Sequence, residues 1–284
     1  MRTMKLKLGL LAAAVSGALA FSAPALAADA GHVEIHKQSW SFAGMFGHYD
    51  RAQLQRGFKV FREVCANCHS ANLMAFRNLS EPGGPEFSEA QVKELAAQYK
   101  VKELSDKSGD IEERVARPSD RWPAPFANEI KAREAMGGAL PPDFSVLAKA
   151  RAYHRPFPLF LIDGLPGFSY QEHGVDYIVA LLNAYKDEPP AGQKLDPGQS
   201  WNDVMPGNRI GMAKPLSDGQ VDYSDGTPAT AVQYSKDVAA FMMWVAEPKL
   251  EQRKSTGFRA VIFLIVLAGL LYATKRKIWA KVPH

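Results

Sequence analysis

The sequence predicts a mainly α-helical domain with long loops, carried on one transmembrane helix near the C-terminus. Apolar residues recur at helical spacing within 49–65, 173–185 and 231–246. Uncharged residues run unbroken over 260–274, which favours a membrane segment. Residues 186–230 are rich in glycine, proline, aspartate and asparagine and show little periodicity, which predicts a long loop.

The first 27 residues have the pattern of a secretory signal peptide. A basic start precedes an apolar run from Leu8 to Val15, and Ala25-Leu26-Ala27 provides a small-residue cleavage site. The mature chain is therefore expected to begin at Ala28, outside the cytoplasm, with an irregular segment up to residue 48.

Three helices are predicted in the first half of the mature chain. The first covers 49–65 with Asp50 as its N-cap. The second opens with the capping-box sequence Ser88-Glu89-Ala90-Gln91 and extends to about Lys100. Residues 101–142 are polar and proline-rich, and a short helix is predicted from Asp143 to Arg151.

Two longer helices are predicted in the second half, from His173 to Tyr185 and from Ala231 to Ala246. The second is broken or kinked at Pro248 and continues through a charged stretch into the membrane segment. An intervening loop of about 40 residues is unusual in a compact domain, so we expect it to pack on a large apolar ligand.

The only two cysteines of the chain, Cys65 and Cys68, are followed directly by His69. This Cys-x-x-Cys-His spacing is typical of a covalent attachment site for a c-type haem. On a helix, positions three and four apart share one face, so two thioethers can fix the porphyrin while His69 reaches the iron. The sequence therefore predicts one covalently bound haem c.

Other roles for the cysteine pair fit less well. A thioredoxin-like redox pair requires a strand–helix context and no adjacent histidine. A zinc site requires about four ligands, and no second cysteine or clustered histidine pair completes one. A disulfide between residues three apart closes too short a loop to stabilise the chain much.

A low-spin electron carrier needs a second axial ligand, and a methionine thioether suits c-type haems. The candidates in downstream loops are Met136, Met205 and Met212. Met74 is too near His69 along the chain to reach the opposite haem face, whereas Met242 and Met243 lie on a helix as expected core residues. His154 is a rival ligand, and spacing alone does not choose among these.

The uncharged run 260–274 is shorter than the ~20 residues that a bilayer requires, but apolar neighbours extend it. The flanking Arg259 and Lys275 can extend their charges to the interface, and Tyr272 and Trp279 suit an interfacial belt. A buried core helix is the alternative, which the flanking charges disfavour.

These patterns divide the chain into five parts: a signal peptide (1–27), a haem domain (28–250), a juxtamembrane segment (251–258), a transmembrane anchor (259–279) and a tail (280–284). Export places the haem domain in the periplasm, so one span leaves the tail in the cytoplasm. The break near Pro248 and the charged run from Glu251 to Lys254 predict an anchor that is separate from the haem domain.

Charge is unevenly distributed along the chain. Three of the 34 basic residues lie in 1–27 and five follow Phe258, so residues 28–258 carry 26 basic and 30 acidic residues. The domain is mildly acidic, which argues against nucleic acid and weakly favours a basic partner.

With these features in place, the chain resembles the cytochrome c1 family, the haem subunits of cytochrome bc1 complexes, in its alpha-proteobacterial form. The resemblance covers nearly all of the mature chain. Besides the haem motif, it is carried by Arg56-Gly57-Phe58, Leu79-Ser80-Glu81-Pro82-Gly83-Gly84-Pro85, Gly138-Ala139-Leu140-Pro141-Pro142-Asp143-Phe144-Ser145, Ala148-Lys149-Ala150-Arg151, Ile210-Gly211-Met212-Ala213, Asp225-Gly226-Thr227-Pro228-Ala229 and Trp244-Val245-Ala246-Glu247-Pro248.

The resemblance implies a cytochrome c-like domain with Met212 as the second axial ligand beside His69. It also implies that Pro141 lines the haem and that Arg151 pairs with a propionate. Two departures from the family pattern occur. Gly137 stands where the family often has asparagine, and a cysteine pair that many bacterial relatives carry in the loop before the methionine is absent.

The function implied by the resemblance is one-electron transfer within a quinol–cytochrome c reductase of the bacterial inner membrane. The electron passes from the Rieske iron–sulfur protein through haem c to a soluble c-type cytochrome, and cytochrome b is the third core partner. The rival classes are a haem enzyme such as an anchored peroxidase, a haem-based gas sensor with an open sixth site, and an anchored carrier outside any complex. A distal sulfur ligand argues against the first two, and copurification with a haem b protein argues against the third.

Overall fold

The computed structural model describes residues 35–104, 109–151, 157 and 173–282. In this part the chain is mainly helical, as predicted. The helices are α1 (Arg51–Glu63), α2 (Glu89–Ala97), α3 (Glu129–Ala135), α4 (Leu147–Ala150), α5 (His173–Asn183), α6 (Ala231–Ala246) and α7 (Leu250–Trp279), with short 3-10 helices at Cys65–Asn67 and Phe76–Ser80. The predicted signal peptide lies outside the described residues.

The predicted helix starts are confirmed by their caps. The Asp50 carboxylate accepts a hydrogen bond from the Gln53 amide at 3.1 Å and begins α1. Ser88 and Gln91 exchange side-chain to backbone hydrogen bonds at the start of α2, as a capping box requires. These local contacts satisfy amide groups that the first helical turn leaves without partners.

The core lies where α1 packs against α6. The Phe241 ring of α6 lies 5.6 Å from Phe58 and 5.4 Å from Phe61, both on α1. The buried Trp122 ring covers the same two phenylalanines at 5.7 and 5.5 Å. The α1 helix is therefore held along its apolar face, and its C-terminal end is fixed where the haem motif begins.

Two small antiparallel sheets occur where the sequence predicts no strand. β1 (Lys100–Leu104) pairs with β2 (Ile111–Val115), and α3 follows within the same polar region. Most side chains of this hairpin are exposed, so neither strand alternates between buried and exposed residues, which is the pattern that reveals a strand.

The second sheet lies at the start and in the first half of the loop predicted for 186–230. β3 (Tyr185–Lys186), β4 (Ser200–Asn202) and β5 (Arg209–Ile210) pair in that order. Strands of two or three residues are too short to show a period of two in the sequence. The loop thus pairs partly with itself, a difference from the expectation that it would pack on the ligand alone.

The helix predicted for 143–151 is shorter, since only Leu147–Ala150 is helical. Its predicted first residues, Asp143 and Phe144, instead form hydrogen bonds with residues 70–72, directly after the haem motif.

The first turn of the anchor helix contacts the haem domain, which differs from the separation expected after Pro248. Leu250, the first residue of α7, is 2% exposed. The Glu251 carboxylate accepts hydrogen bonds from the Tyr49 amide at 2.9 Å and from the Arg51 guanidinium at 3.0 Å. The chain turns at Pro248 as predicted, but the first turn of α7 is part of the domain. Farther along, α7 is long and apolar enough to cross a membrane.

Candidate haem-binding site

The Cys-x-x-Cys-His motif forms a tight turn at the end of α1. The α-helix ends at Glu63, and Cys65–Asn67 continues as one turn of 3-10 helix. The amides of Cys68 and His69 both donate to the Cys65 carbonyl, at 3.1 and 2.9 Å. Residues three apart eclipse each other in a 3-10 helix, so Cys65 and Cys68 lie on the same side of the turn. The turn is tighter than an α-helix.

Cys65 and Cys68 are partly buried and do not form a disulfide with each other. Burial, with a smaller contribution from the neighbouring Cys68, raises the pKa of Cys65 to about 12. A redox-active cysteine pair requires a lowered pKa, because the thiolate is the nucleophile. The local environment therefore disfavours thiol–disulfide exchange, while the two sulfur atoms remain available for covalent attachment.

The His69 ring is held in one orientation. Its Nδ1 lies 2.8 Å from the Pro142 carbonyl oxygen, which only accepts hydrogen bonds, so Nδ1 carries the proton. The Phe144 ring lies 4.4 Å from the imidazole. Burial lowers the pKa of His69 and outweighs the opposing effects of the Pro142 carbonyl and Asp143. The imidazole is neutral and presents Nε2, as a metal-ligating histidine requires.

The segment 142–145 is clamped onto the motif by hydrogen bonds. The Asp143 carboxylate accepts from the Ser70 hydroxyl at 2.7 Å and from the Asn72 amide at 2.8 Å. The Phe144 amide donates to the Ser70 carbonyl at 2.8 Å. Burial by itself raises the pKa of Asp143, but these donors outweigh it and hold that pKa below its ordinary value. The ionised carboxylate thus fixes the position of the Pro142 carbonyl.

A third segment reaches this site through β5. The strand ends at Ile210, and a Cβ placed on Gly211 would lie 3.0 Å from the Ala139 Cβ. The partly buried Met212 therefore follows a residue that packs against the irregular run leading to Pro141 and Pro142. Gly137, the departure noted above, has a φ of +60°, a conformation in which glycine and asparagine are the favoured residues.

The other methionines are placed as follows. Met74, Met242 and Met243 are at most 3% exposed and belong to the hydrophobic core, which confirms the core prediction for the two helical residues. The Met205 sulfur accepts a hydrogen bond from the Tyr177 hydroxyl at 3.9 Å. Met136 ends α3 and accepts from the Ala139 amide at 3.2 Å through its carbonyl, so it too lies near the site.

Arg151 lies at the C-terminal end of α4 with an exposed side chain. Burial raises the pKa of Tyr177, and the nearby positive charge of Arg151 opposes that rise. Tyr177 is thus near the charge of Arg151 and contacts the Met205 sulfur, a position that the sequence does not reveal. In the sequence, Tyr177 is visible only as a tyrosine beside the apolar stripe of α5. His154, the rival ligand, lies outside the described residues.

Comparisons with known proteins agree on one family. A model described as the Cytochrome C1 family matches residues 40–282. A cytochrome c1 of Blastochloris viridis is 49% identical over 282 residues, which cover 99% of this chain and 98% of that protein. A cytochrome c1 of Rhodospirillum rubrum is 42% identical over 276 residues, or 90% of this chain and 92% of the relative.

A longer relative also matches. The protein named cytochrome b/c1 of Bradyrhizobium diazoefficiens is 53% identical over 241 residues, which cover 85% of this chain but 35% of that protein. The match thus spans about a third of the longer polypeptide.

Proposed function

This chain belongs to the cytochrome c1 family, the haem subunits of bc1 complexes, and we propose that it relays one electron from the Rieske iron–sulfur protein through a covalent haem c to a soluble c-type cytochrome. Electron transfer is the activity that family membership supports. The reductase oxidises quinol, and this subunit carries electrons without substrate chemistry of its own. The observation that carries the proposal is the convergence of the Cys65–His69 turn, the 139–145 segment and the Gly211–Met212 backbone.

Cys65 and Cys68 hold the haem in this proposal. Each cysteine would hold the haem through a thioether, formed by adding its S–H across a vinyl C=C bond so that the sulfur takes one vinyl carbon and the hydrogen the other. No oxidant is needed. The shared side of the 3-10 turn presents both sulfur atoms to one porphyrin edge, which supports a single covalently bound group.

His69 and Met212 would hold the haem iron in this proposal. The Pro142 carbonyl holds the Nδ1 proton of His69, so Nε2 is the nitrogen that ligates iron. Bound haem supplies a one-electron couple between ferrous and ferric iron, which a methionine ligand shifts to higher potential. Met212 is preferred because its neighbour Gly211 packs on Ala139, whereas the Met205 sulfur already accepts a hydrogen bond. With both ligands in place, the iron would bind neither peroxide nor oxygen.

Two further residues contact the haem in this proposal. Pro141 lies between Ala139 and the Pro142 carbonyl, and both of these define the site, so its ring lines the haem. Arg151 pairs with a propionate, and its exposure leaves the guanidinium available for that charge-assisted contact.

We place the haem domain, residues 28–250, in the periplasm, with α7 crossing the inner membrane once and the tail in the cytoplasm. The support is the signal-peptide pattern at the N-terminus together with the apolar length of α7. Cytochrome b is the membrane partner, and the relative named cytochrome b/c1 supports this pairing. The Rieske protein and a soluble c-type cytochrome complete the set of partners in a respiratory electron-transport chain.

The test uses the detergent-extracted chain. Haem staining is expected to survive denaturing electrophoresis in the parent and to disappear in the Cys65→Ala, Cys68→Ala double variant. A reduced-minus-oxidised spectrum should show a low-spin c-type haem, and mild purification should retain a haem b protein. Complete removal of haem from the parent by acid–acetone would refute covalent attachment, and isolation without haem b would refute the reductase assignment.

A further inference from the structure

Residues 40–48 form a turn that precedes α1, and the aromatic side chains at the two ends of this turn are buried. The Ala43 amide donates to the Trp40 carbonyl at 3.1 Å, and the His48 amide donates to the Ser41 carbonyl at 3.0 Å. The rings of Trp40, Phe42 and Tyr49 are buried and contact one another in sequence, each pair 5.2 Å apart. These aromatic side chains are thus packed into the domain.

The tip of this turn is apolar and exposed. Met45 is 42% exposed and Phe46 is 65% exposed. Gly44 has a φ of +69°, which a residue with a side chain adopts only with strain. A Cβ on Gly47 would overlap the backbone of Phe42 and Ala43. The glycines on either side therefore allow a tight turn that directs two large apolar side chains away from the core.

The turn is attached to the first part of α7. The Phe46 ring meets Phe258 edge-on, with centroids 5.2 Å apart. The Lys254 ammonium donates to the Phe42 carbonyl. One helical turn earlier, the Glu251 carboxylate accepts a hydrogen bond from the Tyr49 amide. Contacts at 251, 254 and 258 follow one face of the helix, so the turn lies alongside the first two turns of α7.

The depth of Phe258 follows from helix geometry. The basic run at the far end of α7 begins at Lys275. A hydrocarbon core of ~30 Å corresponds to about 20 helical residues at 1.5 Å each, which places the near boundary at about residue 255. By this geometry the span begins about four residues before the anchor 259–279 that the charges predict, so Phe258 lies at the near boundary, about three residues on its hydrocarbon side. Arg259 can still extend its guanidinium toward the headgroups.

From these observations we propose that Met45 and Phe46 enter the phospholipid interface beside α7 and fix the haem domain against the membrane surface. The occupant of this exposed tip is lipid, because the tip contacts the anchor at the depth where acyl chains begin. A second point of contact restricts the tilt of the domain about α7. The proposal rests on the membrane placement of α7 and does not depend on the identity of the haem ligands.

The experiment places a nitroxide label on the full-length chain, assembled in its complex and reconstituted in phospholipid nanodiscs. Phe46→Cys is the primary variant and Met45→Cys is the second. The matched control is Val232→Cys, an exposed apolar residue near the start of α6, 14 residues from the end of that helix where the chain turns into α7. Collision with oxygen, which concentrates in lipid, is compared with collision with a water-soluble nickel chelate.

Labels at 45 and 46 are expected to collide readily with oxygen and several-fold less with the nickel chelate than the label at 232. Nickel accessibility equal to that at 232 would place the tip in water and overturn the proposal. Shielding from both reagents would show a protein partner on the tip and would overturn it equally. If the parent chain takes up the nitroxide label, that result would contradict thioether formation at Cys65 and Cys68. The difference in accessibility between labels at 46 and 232 would still decide the membrane contact.

Discussion

The contacts of the first turn of α7 predict a sharp difference between two soluble forms of the haem domain. One form stops after Lys249, at the break in the chain, and the other stops after Gly257. The shorter form lacks Leu250, which is 2% exposed, and Glu251, which bonds Tyr49 and Arg51. Both forms lack the membrane-spanning part, so the comparison isolates the junction.

The loss of stability follows from those contacts. Burying a leucine side chain contributes about 2 kcal/mol. Hydrogen bonds to a charged group contribute about 1–3 kcal/mol, and here they are lost together with the carboxylate. The shorter form is therefore expected to be less stable by roughly 3–5 kcal/mol. For a domain of this size each kcal/mol shifts Tm by about 2–4 °C, so the expected decrease in Tm is on the order of 10 °C.

The assay is thermal unfolding of both haem-loaded forms, followed by circular dichroism. The Glu251→Gln variant of the longer form separates the contribution of the carboxylate to stability from the contribution of Leu250. Burial by itself raises the pKa of Glu251, but Arg51 and the Tyr49 amide outweigh it and hold that pKa below its ordinary value. The carboxylate therefore stabilises the fold fully above the ordinary glutamate pKa of about 4.3 and loses this contribution as pH falls through the lower folded value.

The Tm difference between the longer form and its Glu251→Gln variant should accordingly be greatest near neutral pH and should shrink below about pH 4. Equal Tm values for the two truncated forms at pH 7 would refute the argument that the junction belongs to the domain.

Two other predictions concern the iron site and the domain surface. Met212→Leu should leave haem attached but lower its potential markedly and admit carbon monoxide, as redox titration and carbon monoxide difference spectra measure. The same substitution at Met136 or Met205 serves as the control and should do little. If Met212→Leu leaves the potential unchanged and still excludes carbon monoxide, Met205 is favoured as the ligand. The net charge of −4 over residues 28–258 should guide a basic soluble cytochrome to the haem domain. Turnover should therefore slow as salt shortens the Debye length, which is ~10 Å at 0.1 M. A turnover rate that is independent of ionic strength would count against such steering.

The helices and the haem motif were predictable because their signals are local. Asp50, Ser88 and the apolar stripe of α6 act on residues at most a few positions away, and the structure places these helices where they were expected. The cysteine spacing likewise defines a single turn. The hairpin of β1 and β2 was missed because its side chains are mostly exposed, so burial leaves no alternating pattern.

The sequence by itself determined the chemical identity of the site: two cysteines and a histidine on one turn, with three loop methionines as alternatives. Only the tertiary structure decided how the site is assembled. The His69 ring is oriented by a carbonyl 73 residues away, and the junction of α7 depends on a glutamate 202 residues from its partner Tyr49. Each contact joins one side chain to a backbone group of a distant residue, so it leaves no periodicity or spacing in the chain. They exist only after the fold has brought distant segments together.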